Sequence, residues 1–173
     1  MPNAAGGGVY TGNYRVNGGG TLNFAPGTYF FRDANLDFSG TIICNTCTPA
    51  NGVTLVLLGN SQLTINGGAI VDLWASPVNT FDSHLNGVLI DDQAPHSNGT
   101  SVSINGGTTV KLGGVMYFPN VDVTYNGGTQ SSNTTCTAVI ANSLNMGGNA
   151  YLSTQGCQPG TVSLTQVVVL VPS

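Results

Sequence analysis

The chain has 173 residues, enough for one domain with a substantial core. Only 6% of the residues are charged and 40% are hydrophobic, a balance that excludes a disordered chain. With a net charge of −4, and only Arg15, Arg32 and Lys111 as basic residues, the sequence has almost nothing from which to build a nucleic-acid groove, and an anionic-membrane surface is disfavoured for the same reason.

Residues 1–8 (MPNAAGGG) read as a linker. No signal-like apolar segment follows Met1-Pro2, so the start is expected to be that of a trimmed or mature domain. From Val9 onward short apolar runs alternate with Gly-rich turns. A first strand region ends at Asn17-Gly18-Gly19. Ala25-Pro26-Gly27 breaks the chain before a strand over 28–31. Strands over 35–38 and 41–43 follow, then a loop from Cys44 to Pro49. The run Val53–Leu58 is apolar at nearly every position, as for a strand buried on both faces. Two segments read as insertions, 74–86 and 91–100. Further strands are expected at 88–90, 115–118 and 139–141. The run 162–171 is expected to close the chain over its last coil. No segment shows helical periodicity, and no apolar run reaches the ~20 residues that span a bilayer, so no membrane insertion is expected.

These runs repeat. Take the Asn of Asn105-Gly106-Gly107 as zero. Val102 and Ile104 stand at −3 and −1, Val110 and Leu112 at +5 and +7. Asn66 has Leu63 and Ile65 before it, Val71 and Leu73 after. Asn17 has Tyr14 and Val16 before it, Leu22 and Phe24 after. Weaker copies centre on Ser39, Asn126 and Gly147. The zero points 17, 39, 66, 105, 126 and 147 give steps of 22, 27, 39, 21 and 21. Residues two apart leave the same face of a strand, and Asn-Gly-Gly supplies the positive φ of a sharp turn. A period near 21, with insertions in the long steps, predicts a solenoid. The fold expected is therefore all-β: a right-handed parallel β-helix over 9–173, with six to seven coils of three short strands. A hairpin-based sandwich, in which each Asn-Gly reverses the chain, is the alternative. The strand phase places Val16, Phe38, Ile65, Ile104, Tyr125 and Met146 in one inward column.

Four segments carry a resemblance: Asn66-Gly67-Gly68-Ala69, the stretch GVLIDDQAP over 87–95, GVMYFPN over 114–120 and VTYNGG over 123–128. Together with the closing VVLV over 168–171, they resemble the C-terminal region of bacterial Tad/Flp pilus-assembly proteins of the TadG-like class. The likeness covers most of the chain, and Tyr117-Phe118-Pro119-Asn120 is its most specific part. It implies an envelope or cell-surface protein tied to a pilus or secretion system, with no catalytic residues to carry over.

Asp82, His84, Asp91, Asp92 and His96 fall within fifteen positions. Parallel β-helices include pectin lyases and polygalacturonases, which use carboxylates on sugars. Asp91, Asp92, His84 and His96 are therefore the candidates for a polysaccharide-active enzyme. Neighbours on a strand face opposite ways, however, and the Gly-His-Gly and Arg-Ile-Lys motifs of polygalacturonases are absent. The alternative is a set of solvated loop polar groups. No tight ligand spacing supports a metal site from His84, His96 and an Asp, and no cofactor is expected.

Cys44-x-x-Cys47 reads as a local disulfide, with a redox pair or half of a zinc site as alternatives. Cys136 and Cys157 are 157 − 136 = 21 positions apart, each ten after its own zero point. Equal phase in consecutive coils stacks them at the ~4.8 Å strand spacing, within reach of a disulfide; two stacked free thiols are the alternative. Asn98-Gly99-Thr100 and Asn133-Thr134-Thr135 match glycosylation sequons, as chance allows in so polar a chain. The function expected is a non-enzymatic module of the extracellular space or cell-envelope surface. Its lateral face or insertions would contact surface or pilus proteins, or glycans. A polysaccharide-active enzyme and a unit that self-associates end to end are the other readings.

Overall fold

The computed structural model describes residues 8–96, 101–106, 109–127, 136–148, 150 and 152–153. Most of the linker, both sequons, Cys157 and the closing run 162–171 lie outside them. Eleven strands follow in order: β1 (Val9–Val16), β2 (Thr21–Asn23), β3 (Gly27–Phe38), β4 (Thr41–Ile43), β5 (Val53–Leu58), β6 (Gln62–Ile65), β7 (Ile70–Trp74), β8 (Val88–Asp92), β9 (Ser101–Asn105), β10 (Thr109–Gly127) and β11 (Thr137–Gly148). A single 3-10 turn, Ser83–Leu85, is the sole helix among the described residues, so none is long and apolar enough to cross a membrane.

Every pairing between these strands is parallel, which rules out the hairpin sandwich. The chain winds as a β-solenoid of about five turns. That is fewer than the six to seven coils read from the repeats. Six turn positions bound only five complete steps, so counting turn positions overstates the number of circuits. A short antiparallel bridge, Thr48 to Asn51, lies within a loop.

The Asn-Gly-Gly turns bend as their chemistry requires. Gly20 N–H donates to Asn17 O at 2.9 Å and Ala69 N–H to Asn66 O at 3.1 Å. The second glycine of each turn takes positive φ, 81° at Gly19 and 95° at Gly68, which a β-carbon would oppose.

The inward column is in register from end to end: Val16 with Phe38, Phe38 with Ile65, Ile65 with Ile104, Ile104 with Tyr125, Tyr125 with Met146. Phe38, Ile65, Ile104 and Tyr125 are fully buried. Val16 is half-buried and Met146 is exposed, each with one column neighbour among the described residues. Burial pushes the Tyr125 phenol up to about 12. A second column, on the downstream arm of the repeat, joins Leu22, Ile42, Val71 and Val110.

Cys44 and Cys47 form a disulfide with Cα atoms 5.4 Å apart, which removes them as zinc ligands. Trp74 Nε1 donates to the carbonyls of Thr48 and Asn51, holding this loop against the next coil. Cys136 is also disulfide-bonded, while Cys157, its expected partner, lies outside the described residues. Unreduced protein is expected to yield a Cys136–Cys157 peptide in mass spectrometry, and reduction to cost ~3 kcal/mol in the chain-entropy model. A different partner for Cys136 would overturn the coil-to-coil staple.

Candidate functional site

The site grows from one outward row. On β3, Phe31 points in and Phe30 points out, because side chains alternate along a strand. Register carries that outward position across the sheet: Phe30 pairs with Val56, Val56 with Asp91, Asp91 with Tyr117, Tyr117 with Ile140. Left alone this row would be open to water. The segment 75–87 folds over it.

Backbone bonds fix the ends of that segment, Ala75 N–H to Gly113 O and Val115 N–H to Gly87 O, and a buried amide clasps its middle. Asn79 Nδ2 donates to Thr28 Oγ1 at 3.0 Å and Thr54 Oγ1 at 3.2 Å, clasping the loop to β3 and β5. Its Oδ1 accepts from the backbone N–H groups of Phe81 and Asp82. Every polar atom of this side chain is thus used, as burial demands. Thr54 Oγ1 also donates to Val88 O, tying β5 to β8. Asp82 caps the 3-10 turn by accepting from His84 N–H at 2.9 Å. That bond and the contact of His84 Nδ1 with Asp82 Oδ1, also 2.9 Å, hold the Asp82 carboxyl below the usual range.

The clasp brings the Phe81 ring to 4.8 Å from the Phe30 ring, nearly edge to face. Between the loop and the row opens a cleft of about 550 Å³. Phe30, Phe81 and Tyr117 form its aromatic wall, with Asp91 on the floor, the exposed Gln93 beside it, and Asp82 and His84 at the rim. Phe81 remains 62% exposed. Asp91 is only 7% exposed, and its Oδ2 accepts from Gln93 Nε2 at 2.6 Å.

The four candidate catalytic residues do not converge. Asp91 and Asp92 are both in β8, so the second insertion begins after them rather than at 91. Asp91 faces the cleft. Asp92 pairs with Leu57 in the sheet and points inward. Its side chain is 0% exposed, and it accepts from Ala94 N–H at 3.0 Å and contacts His96 Nε2 at 2.7 Å. The His96 side chain is 4% exposed. Its φ is 37°, an uncommon conformation that this hydrogen bond helps to hold. Desolvation raises the Asp92 pKa against the pull of both hydrogen bonds. His84 lies outside, its side chain 92% exposed. The two histidines therefore belong to opposite sides of the wall, and no metal-holding group of three His, Cys, Asp or Glu occurs among the described residues.

Phe30, Phe81, Tyr117 and Gln93 escape a reading that looks only for ionisable groups. One signal was present in the repeat: Phe30 and Tyr117 both stand nine before a zero point, 39 − 30 and 126 − 117. That common phase marks them as one outward row.

No family model, no curated protein and no solved structure matches the chain.

Proposed function

We propose that this chain is a non-enzymatic recognition module of the extracellular space or cell surface that holds a glycan in its lateral cleft. One observation carries this reading: a nearly buried carboxylate, Asp91, at the floor of a cleft walled by Phe30, Phe81 and Tyr117. A pyranose ring presents an apolar C–H face and a rim of hydroxyls. Rings accept the first and Asp91 with Gln93 the second, the usual division of a ligand site into apolar walls and a few placed polar groups. The Cys44–Cys47 disulfide supports an oxidising compartment. A pilus or secretion context rests on the sequence resemblance, and a pull-down against Tad pilus components is its test.

On a glycan array the protein is expected to bind a restricted set of sugars. Tyr117→Ala is expected to weaken that binding by about tenfold or more, in line with a central aromatic contact. Unchanged binding in Tyr117→Ala, or no binding to any glycan, would refute the reading. A second reading, hydrolysis, is favoured by the placement of both Asp82 and Asp91 on the cleft. Asp82 rather than Asp92 would then be the second carboxylate. Release of reducing ends from a bound glycan, lost in both Asp82→Asn and Asp91→Asn, would establish it.

A further inference from the structure

We infer that the cleft selects an amino sugar, a glycan carrying a protonated primary amine, over neutral and acidic ones. The inference rests on the glycan reading above. Asp91 has about four lone-pair positions on its carboxylate. Among the described residues one hydrogen bond is made to it, from Gln93 to Oδ2. Asp91 lines the cleft and is only 7% exposed, so its remaining acceptor capacity is offered to whatever the cleft holds.

No lysine or arginine lines the cleft among the described residues. Arg15 pairs with Asp37, and Lys111 with Asp72 on another face. Arg32 stands on the neighbouring row, beside the cleft-lining Leu58, and among the described residues no ion pair joins it to Asp91. His84 is engaged by Asp82. A carboxylate so placed has given up much of its hydration without receiving a counter-ion. A ligand ammonium restores that balance with a charge-assisted hydrogen bond. The ring faces of Tyr117 and Phe81 add attraction for a cation. A uronate or sulfate would instead meet two carboxylates, Asp82 and Asp91. A neutral hydroxyl fills the acceptors but leaves the charge uncompensated.

Register also locates the amine. Phe30 and Tyr117 lie three strand spacings apart, about 14 Å. Asp91 is one strand from Tyr117 and two from Phe30. The amine-bearing ring therefore sits beside Tyr117, and a neighbouring sugar extends toward Phe30 and Phe81.

Calorimetric titration tests this with short glucosamine oligomers, their N-acetylated equivalents and oligogalacturonates. The free-amine oligomer is expected to bind at least about tenfold more tightly than the acetylated one, the scale of one charge-assisted bond. Asp91→Asn is expected to bring the two affinities together while binding persists, and Asp72→Asn, on another face, to leave the preference intact. Equal or better binding of acetylated or acidic oligomers would overturn the inference and leave the glycan reading standing. So would an equal loss in Asp72→Asn, which would mark a diffuse charge effect. A lysine peptide that displaces the oligomer with similar affinity would also overturn it, in favour of a protein ligand. Failure of all oligosaccharides to bind would remove the glycan reading itself.

Discussion

Ile104→Ala is expected to cost ~2–5 kcal/mol in a urea melt, as do large-to-small changes in packed cores. Ile104 is fully buried between Ile65 and Tyr125 in the inward column. Removing its side chain leaves a void between two large neighbours held at fixed strand spacing, so the walls close only in part. Ser103→Ala is the control, one residue away. Ser103 stands outward between Thr64 and Thr124, and its Oγ accepts from Asn105 Nδ2 at 2.7 Å. That bond is partly solvated, and its loss is expected to cost well under ~1 kcal/mol. Equal effects at the two positions would show that the column does not carry the stability.

The solenoid was legible because its physics is periodic. Side chains alternate with period two, turns recur near 21 residues, and the two periods fix which residue stacks on which. Phe38, Ile65, Ile104 and Tyr125 are therefore found by arithmetic alone. Polarity was legible too, since the repeats all run the same way. The cleft was not, because an insertion obeys no period. Nothing in the spacing of 74–86 says that Asn79 will reach Thr28, 51 residues earlier, or that Phe81 will pack on Phe30. Those contacts depend on where the loop falls after it leaves β7, which the Asn79 clasp and the backbone bonds at the loop's ends decide together.

The ionisable cluster was half legible. Alternation in an extended strand predicts that Asp91 and Asp92 face apart, and they do. Sequence proximity suggested one site where the wall of the solenoid makes two. Its outer side holds Asp91 and His84; its inner side holds Asp92 and His96. Composition misled as well, because a charge count treats Asp92 as surface when the turn after β8 folds His96 back to meet it.

That inner pair gives the second large effect. Asp92→Ala is expected to cost about 2–5 kcal/mol, since it strips a hydrogen-bond partner from both Ala94 N–H and His96 Nε2 in a buried setting. Asp92→Asn keeps an oxygen for Ala94 and an amide for His96, and is expected to remain within about 1 kcal/mol of the parent at neutral pH. The sign of the pH dependence follows from burial, which raises the Asp92 pKa above its unfolded value. A raised acid contributes stability below its unfolded pKa, and that contribution is lost as pH rises through the folded one. The parent is therefore expected to gain on Asp92→Asn as pH falls from neutral toward the ordinary carboxylate range. Urea melts of both proteins across that range measure the gap. If Asp92→Asn is as damaging as Asp92→Ala, or if the parent instead loses on Asp92→Asn as pH falls, then Asp92 is retained for its charge rather than its hydrogen bonds.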